Sequence, residues 1–178
     1  MKELSLNILD VAKNSVVAGA TVVEILLNTD AAGMLTLVIK DDGCGMSEET
    51  VKNVTDPFYT TRTTRKVGMG IPLLKLAAEQ TGGTLSIVSS QHTTDHGTTV
   101  TATFDTKSID FMPLGDIVST VCILIAGSPE IDFCFSDVSP DREVGLNTSE
   151  LRAVLGDVSL AEPEVQLWIK EYLTEQYV

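Results

Sequence analysis

MLTLVIKDDGCG, residues 34–45, runs from branched apolar side chains straight into an acidic loop spaced by glycines. Met34–Lys40 therefore reads as a strand that ends at Asp41, and Asp42-Gly43-Cys44-Gly45 reads as the turn that leaves it. Upstream, Val22–Leu27 has the same composition and is separated from the first strand by Asn28-Thr29-Asp30-Ala31-Ala32-Gly33, a hairpin signature with a longer loop. Before the hairpin, residues 4–18 carry Leu4, Ile8, Val11 and Ser15 at helical spacing, with Gly19 as the stop.

Downstream, Ser47 is placed to cap a short helix through Val54, with Glu48 and Glu49 favouring its positive end and Asp56-Pro57 closing it. Residues Tyr59 to Val67 are polar and without pattern. Helical spacing resumes from Ile71 to Thr81, so Gly68-Met69-Gly70 opens a helix that tolerates Pro72 in its first turn and stops at Gly82-Gly83. Thr84–Ser89 and Thr98–Phe104 read as two more strands around the polar turn Gln91 to Gly97. Helices alternating with an antiparallel sheet predict an α+β fold, a two-layer sandwich.

The pattern changes after Asp105, and a boundary is expected near Lys107. Residues 1–107 form the first domain in this reading, and residues 108–178 form a small α/β extension that packs on it or on a partner. In the extension, Asp116 to Ala126 suits a buried helix, Ile131–Phe135 and Glu143–Leu146 suit paired strands, and a short helix starts near Thr148. The last helix begins at Pro163 with Val165, Trp168, Ile169 and Tyr172 on one stripe.

The 178 residues carry a net charge of −13, unevenly spread. Residues 1–107 hold 12 acids and 9 bases, whereas residues 108–178 hold 13 acids and 3 bases. An acidic surface of that kind argues against nucleic acid as a partner, because duplex binding leans on basic side chains facing phosphates. The start of the chain carries Glu3, Asn7 and Asp10 where a secretory signal would be apolar, and the longest apolar run, Ile117 to Ala126, is far short of a membrane span. A cytoplasmic location without membrane association is expected. Cys44, Cys122 and Cys134 form no C-x-x-C pair and are expected as reduced thiols, the last two as core filler and Cys44 in a loop near a ligand.

Several positions carry chemistry in a fixed order. At 100° per residue, Asn7, Asp10 and Asn14 fall within about 60° of one another on the first helix, a stripe able to floor a site. Asn14 offers an amide oxygen suited to magnesium, and Asp10, one turn earlier, could orient or deprotonate a nucleophile. Taken alone, a D-x-x-x-N pair is more often a solvated helix face. Asp41 at a strand end can accept from the exocyclic amine of adenine, while Gly43 and Gly45 let backbone approach the base. Gly68 and Gly70 before a helix can hold phosphate on backbone amides, with Arg62, Arg65 and Lys66 nearby. Gly97-Thr98 reads either as a turn before a strand or as a contact in which the Thr98 hydroxyl could bridge Asp41 and the base. His92 and His96 receive no role.

In this order the motifs resemble the superfamily of ATPases and kinases that includes gyrase, heat-shock chaperones, histidine kinases and MutL, whose nucleotide domain is the Bergerat fold. The resemblance covers about residues 5–105. KNSVVAGATVVEILL is similar to the MutL version of the first helix and strand, whereas DPFYTTR, GMGIPLLKLAAEQTGGTLSI and GTTVTATF are similar to histidine kinases. It implies ATP and magnesium as cofactors, Asp10 as the catalytic carboxylate, and Asn14 as the magnesium ligand. It implies an ATP lid from about Tyr59 to Val67. The nucleotide contacts it implies are Asn14, Asp41, Gly43, Gly45, Phe58, Thr61, Arg62, Arg65, Lys66, Gly68, Met69, Gly70 and Thr98.

Departures from the family pattern shape the functional expectation. Ile71 and Pro72 replace the small or leucine residues usual after the second glycine, and a phosphoacceptor helix ahead of the domain is not expected. ATP-hydrolysing relatives also borrow a lysine from a following domain, where this chain offers only Lys170. The expected function is a standalone kinase or regulatory ATPase acting on a separate protein partner. The alternative is an ATP-gated protein-binding module with slow or no hydrolysis, and a homodimer is compatible with either.

Overall fold

A computed structural model describes residues 3–56 and 69–178 of the chain. Helix α1 (Leu4–Val17) leads into the hairpin β1 (Val22–Thr29) and β2 (Met34–Asp41), followed by the one-and-a-half-turn helix α2 (Glu48–Asn53). Helix α3 (Gly70–Gln80) and the hairpin β3 (Leu85–Ser90) and β4 (Gly97–Asp105) come next. The remainder is α4 (Ile117–Gly127), β5 (Asp132–Ser139), β6 (Arg142–Asn147), α5 (Thr148–Leu155) and α6 (Pro163–Gln176).

All six strands join one sheet in the order β3-β4-β2-β1-β5-β6. Four of the five pairings are antiparallel, but β5 runs parallel to β1, with Val22 opposite Asp132 and Asn28 opposite Val138. The extension's strands thus continue the sheet of the first 107 residues. Alternation places Val23, Ile25, Leu27, Leu37, Ile39, Val100, Ala102, Phe104, Phe133 and Phe135 on one buried face. Helices α1, α3, α4 and α6 supply Leu4, Ile8, Leu74, Ile125, Ile169 and Leu173 against it, the two-layer α+β architecture. Each such large side chain contributes roughly 1.5–3 kcal/mol on burial.

Side-chain caps mark the starts of α2, α4 and α5. The Ser47 hydroxyl accepts from the Thr50 amide at 3.2 Å, the Asp116 carboxylate accepts from the Ser119 amide at 2.9 Å, and the Asn147 side chain accepts from the Ser149 amide at 3.0 Å. No helix among the described residues is long and apolar enough to cross a membrane.

Three expectations are corrected. Asn7, expected with Asp10 and Asn14 on a stripe that floors a site, is instead 1% exposed, within the helix layer. Trp168 and Tyr172 are not part of the buried stripe of α6, which is Val165, Ile169 and Leu173; they lie about a quarter of a turn round the helix and stay 46% and 40% exposed. Cys122 packs against the core as expected, but Cys134 does not: between the inward Phe133 and Phe135, strand alternation turns it to the opposite face, half-buried.

Candidate nucleotide site

A cavity of about 370 Å³ opens between the C-terminal half of α1, the end of β2, the loop after it, and α2. Its walls are largely apolar, with Val11, Ile39, Val54, Ile71 and Val100, and its polar groups converge from Asn14, Ser15, Asp41 and Thr98. That composition suits a flat, largely apolar ring with a few polar edge atoms.

Asp41 is the best-anchored of these groups. One carboxylate oxygen accepts from the Ser15 hydroxyl at 2.6 Å, and the other accepts from the Gly43 amide at 2.8 Å. Each oxygen keeps a lone pair for a further donor, so the carboxylate is held in one orientation while remaining able to receive an N–H from within the cavity. Ser15 came from the core stripe of α1 in the sequence reading; its partnership with Asp41, 26 positions away, is a tertiary contact that periodicity does not reveal.

The neighbouring Asp42 points the other way and ties the loop to the start of β1. Burial pushes its carboxyl up, but hydrogen bonds from the Thr21 hydroxyl, the Val22 amide and the Thr21 amide outweigh that and hold it below its ordinary value of 3.8.

The glycines after it answer to the protein's own backbone. A Cβ at Gly43 would lie 2.8 Å from Ala18 Cβ, where the Cys44 amide also donates to the Ala18 carbonyl at 2.9 Å. At Gly45, φ is +75° and a Cβ would run into the Ser90 carbonyl. The loop is therefore clamped between the end of α1 and the end of β3. Cys44 itself is exposed and lines the cavity.

Two further ties were not expected. The Ser89 hydroxyl accepts from the Met46 amide at 2.7 Å and lies 2.8 Å from the Thr98 hydroxyl, so the Thr98 side chain is paired with Ser89 and not, as expected, with Asp41, whose hydroxyl partner is Ser15. His96 Nδ1 lies 2.7 Å from the Gly43 carbonyl, fastening the β3–β4 turn onto the loop. A polar turn gives no local signal for such a contact.

Of the expected site residues, the structure brings Asn14, Asp41, Gly45 and Thr98 together around the cavity, with Gly43 immediately behind Asp41. Gly70, the first residue of α3, packs against Asp10, where a Cβ would come within 3.3 Å of the Asp10 Cβ. Asp10 thus sits beside the start of α3 and not in the cavity wall. Met69, 38% exposed, stands at the cap of that helix. Phe58, Thr61, Arg62, Arg65, Lys66 and Gly68 lie outside the described residues. The described residues contain no group of three or more His, Cys, Asp or Glu suited to a metal.

Known proteins provide the comparison. A segment of 68 residues is 37% identical to a protein of Shewanella frigidimarina (strain NCIMB 400) described as "Putative sensor protein"; the match takes in 37% of this chain and a tenth of that protein's length. The fold is shared with the MutL ATPase domain of Aquifex aeolicus, solved with ADP, at a TM-score of 0.56 and 16% identity, covering 87% of this chain and 69% of that one. It is also shared with the N-terminal domain of a DNA repair protein, at a TM-score of 0.58 and 14% identity, covering 83% of this chain and 52% of that one. Residues 1–108 match the family described as histidine kinase-, DNA gyrase B-, and HSP90-like ATPase. Residues 1–108 are thus an ATP-binding domain of histidine-kinase-like type, and the chain belongs to the histidine kinase-, DNA gyrase B- and HSP90-like ATPase family.

Proposed function

We propose that the protein binds ATP with magnesium in the cavity between α1 and the Asp41 loop, and passes phosphoryl to, or presents ATP to, a separate protein partner. The observation that carries this reading is Asp41: a carboxylate oriented from two sides by Ser15 and Gly43, with acceptor capacity left at an apolar cavity of base-sized dimensions. It suits the exocyclic amine of adenine, with Ile39 and Val100 against the ring. The ADP bound in the MutL ATPase domain supports a nucleotide here by likeness of fold.

Asn14 lies on the same helix as Ser15, and its amide oxygen is a hard donor of the kind magnesium takes alongside water and phosphate oxygens. ATP supplies the phosphoryl group and the metal ion offsets its charge. In this reading Asn14 holds the ion, the amides at Gly70 and the start of α3 face the phosphate end, and Asp10, packed against Gly70, orients the acceptor hydroxyl or water and takes its proton. The test is calorimetry with ATP and magnesium, followed by transfer of labelled phosphoryl to candidate partners. Loss of transfer with retained binding in Asp10→Asn is expected; no label on any native binding partner would sink the transfer.

One observation favours the second reading, an ATP-gated binding module with slow or no hydrolysis. Lys170, the lysine offered by the extension, interacts with Asp116 and Cys122 at the α4–α6 contact, remote from the cavity. Under this reading Asp10→Asn changes neither ATP binding nor partner binding, and wild-type turnover is slow or absent to begin with.

A further inference from the structure

A second concavity, about 440 Å³, lies between α5 and α6 along the outer edge strand β6, far round the sheet from the nucleotide site. Its walls are Leu151 and Val154 of α5 on one side and Trp168 and Tyr172 of α6 on the other. The two aromatic rings stack on each other, centroids 4.8 Å apart and planes 12° from parallel. Val154 is 84% exposed, so this apolar surface faces solvent. Single exposed apolar residues are ordinary; a walled group around a stacked aromatic pair marks an interaction site.

The charges around it are of one sign. Glu150 lines the groove, and at 100° per residue the exposed Glu164, Glu171 and Glu175 all fall within about 60° of Trp168 around α6. The bases of the extension do not neutralise them. Arg142 pairs with Asp137 at 3.2 Å, Arg152 pairs with Asp132 at 2.7 Å, and Lys170 stands on the opposite side of α6.

The backbone of the edge is also taken at one point. At Gly145 the Gln176 carboxamide accepts from the amide at 2.9 Å and donates to the carbonyl at 3.1 Å, standing where the peptide of a neighbouring strand would stand. The groove therefore offers side chains and not strand hydrogen bonds to an occupant.

Resting on the reading that the domain acts on a separate protein, we propose that this groove docks an amphipathic helix of that partner, with apolar residues seated between Val154 and Trp168 and lysine or arginine over the acidic rim. Guanidinium or ammonium groups there meet both carboxylates and the faces of the aromatic pair. A second copy of this chain is disfavoured as the occupant, because it would bring two acidic rims within a Debye length of each other.

Trp168 is the sole tryptophan, so its fluorescence reports the groove directly. The probe is a tryptophan-free amphipathic leucine/lysine peptide of about 18 residues, titrated into the full chain. A saturable blue shift is expected, weakened about tenfold by Val154→Glu and about fivefold by Glu150→Gln with Glu171→Gln, the latter pair also flattening the salt dependence. Equal binding of a leucine/glutamate peptide, equal binding of a composition-matched peptide with its apolar stripe scrambled, indifference to Val154→Glu, or self-association that already shields Trp168 would each overturn the proposal. ATP titrated in parallel separates the two sites: a peptide response without ATP binding leaves the groove standing and removes the nucleotide reading, and ATP binding without a peptide response removes the groove alone.

Discussion

Asp41 and Asp42 are adjacent, chemically identical and turned to opposite tasks. Asp41 faces the cavity, fixed by Ser15 and Gly43, so Asp41→Asn removes a charge-assisted acceptor worth about 1.5–3 kcal/mol to a bound amine. ATP affinity by calorimetry is expected to fall between about tenfold and a hundredfold; an unchanged affinity would overturn the site assignment. Asp42 instead secures the loop to Thr21 and Val22. Because its folded-state pKa is depressed, its stabilising contribution is fully present above the ordinary carboxyl value and is lost as pH falls through the folded one. Denaturant titrations of wild type and Asp42→Asn should therefore differ by a constant margin well above the ordinary carboxyl value of 3.8, and converge as pH falls below it. A margin that persists in acid would contradict this. Asp41 was legible because an acid between a strand and a glycine turn is a local pattern. Its orientation was not, since Ser15 reaches it only after α1 docks on the sheet.

At the scale of elements, the glycine loop and α6 show what spacing reveals and what it leaves open. Local signals placed every described helix and strand within a residue or two in the first 107 residues, because caps, glycines and branched runs act within a few positions. The purpose of the glycines was less visible: Gly45 adopts a positive φ against the Ser90 carbonyl. Gly45→Ala should cost more than about 2 kcal/mol and lower the melting temperature, seen by calorimetry, through strain and backbone displacement together. On α6 the stripe read from spacing was rotated, and Trp168 and Tyr172 proved to be rim. The far end of that helix is held by Tyr177, whose hydroxyl donates to the 2%-exposed Asp137 at 2.7 Å while Arg142 lies over its ring at 5.1 Å. Burial first, then the Asp137 bond and charge, push the tyrosine hydroxyl up, so it stays protonated and donating. Tyr177→Phe deprives a buried carboxylate of a donor and should cost about 1–3 kcal/mol in denaturant unfolding, with ATP affinity unchanged.

Over the whole molecule, the connection that spacing could not supply is the pairing of β5 with β1. Residues 108–178 read as an extension packing on the first part or on a partner because composition and charge change near Lys107, but strand partnership is a long-range property with no local signature. Phe133, Phe135 and Ile169 bury against the same core as Ile25 and Leu27. A chain ending at Lys107 would bare the β1 edge and one side of α1, and is expected to aggregate or to lose cooperative unfolding in calorimetry. A sharp two-state transition of that fragment would speak for an autonomous first domain. The same pairing sets an order of events during synthesis. Val22 must wait for Asp132, about 110 positions later, which at about 5–20 residues per second leaves the nascent β1 edge bare for roughly 5–20 s. During that interval the Asp41 hairpin is already on hand but its sheet is unfinished, and its unpaired strand edge is open to intermolecular pairing.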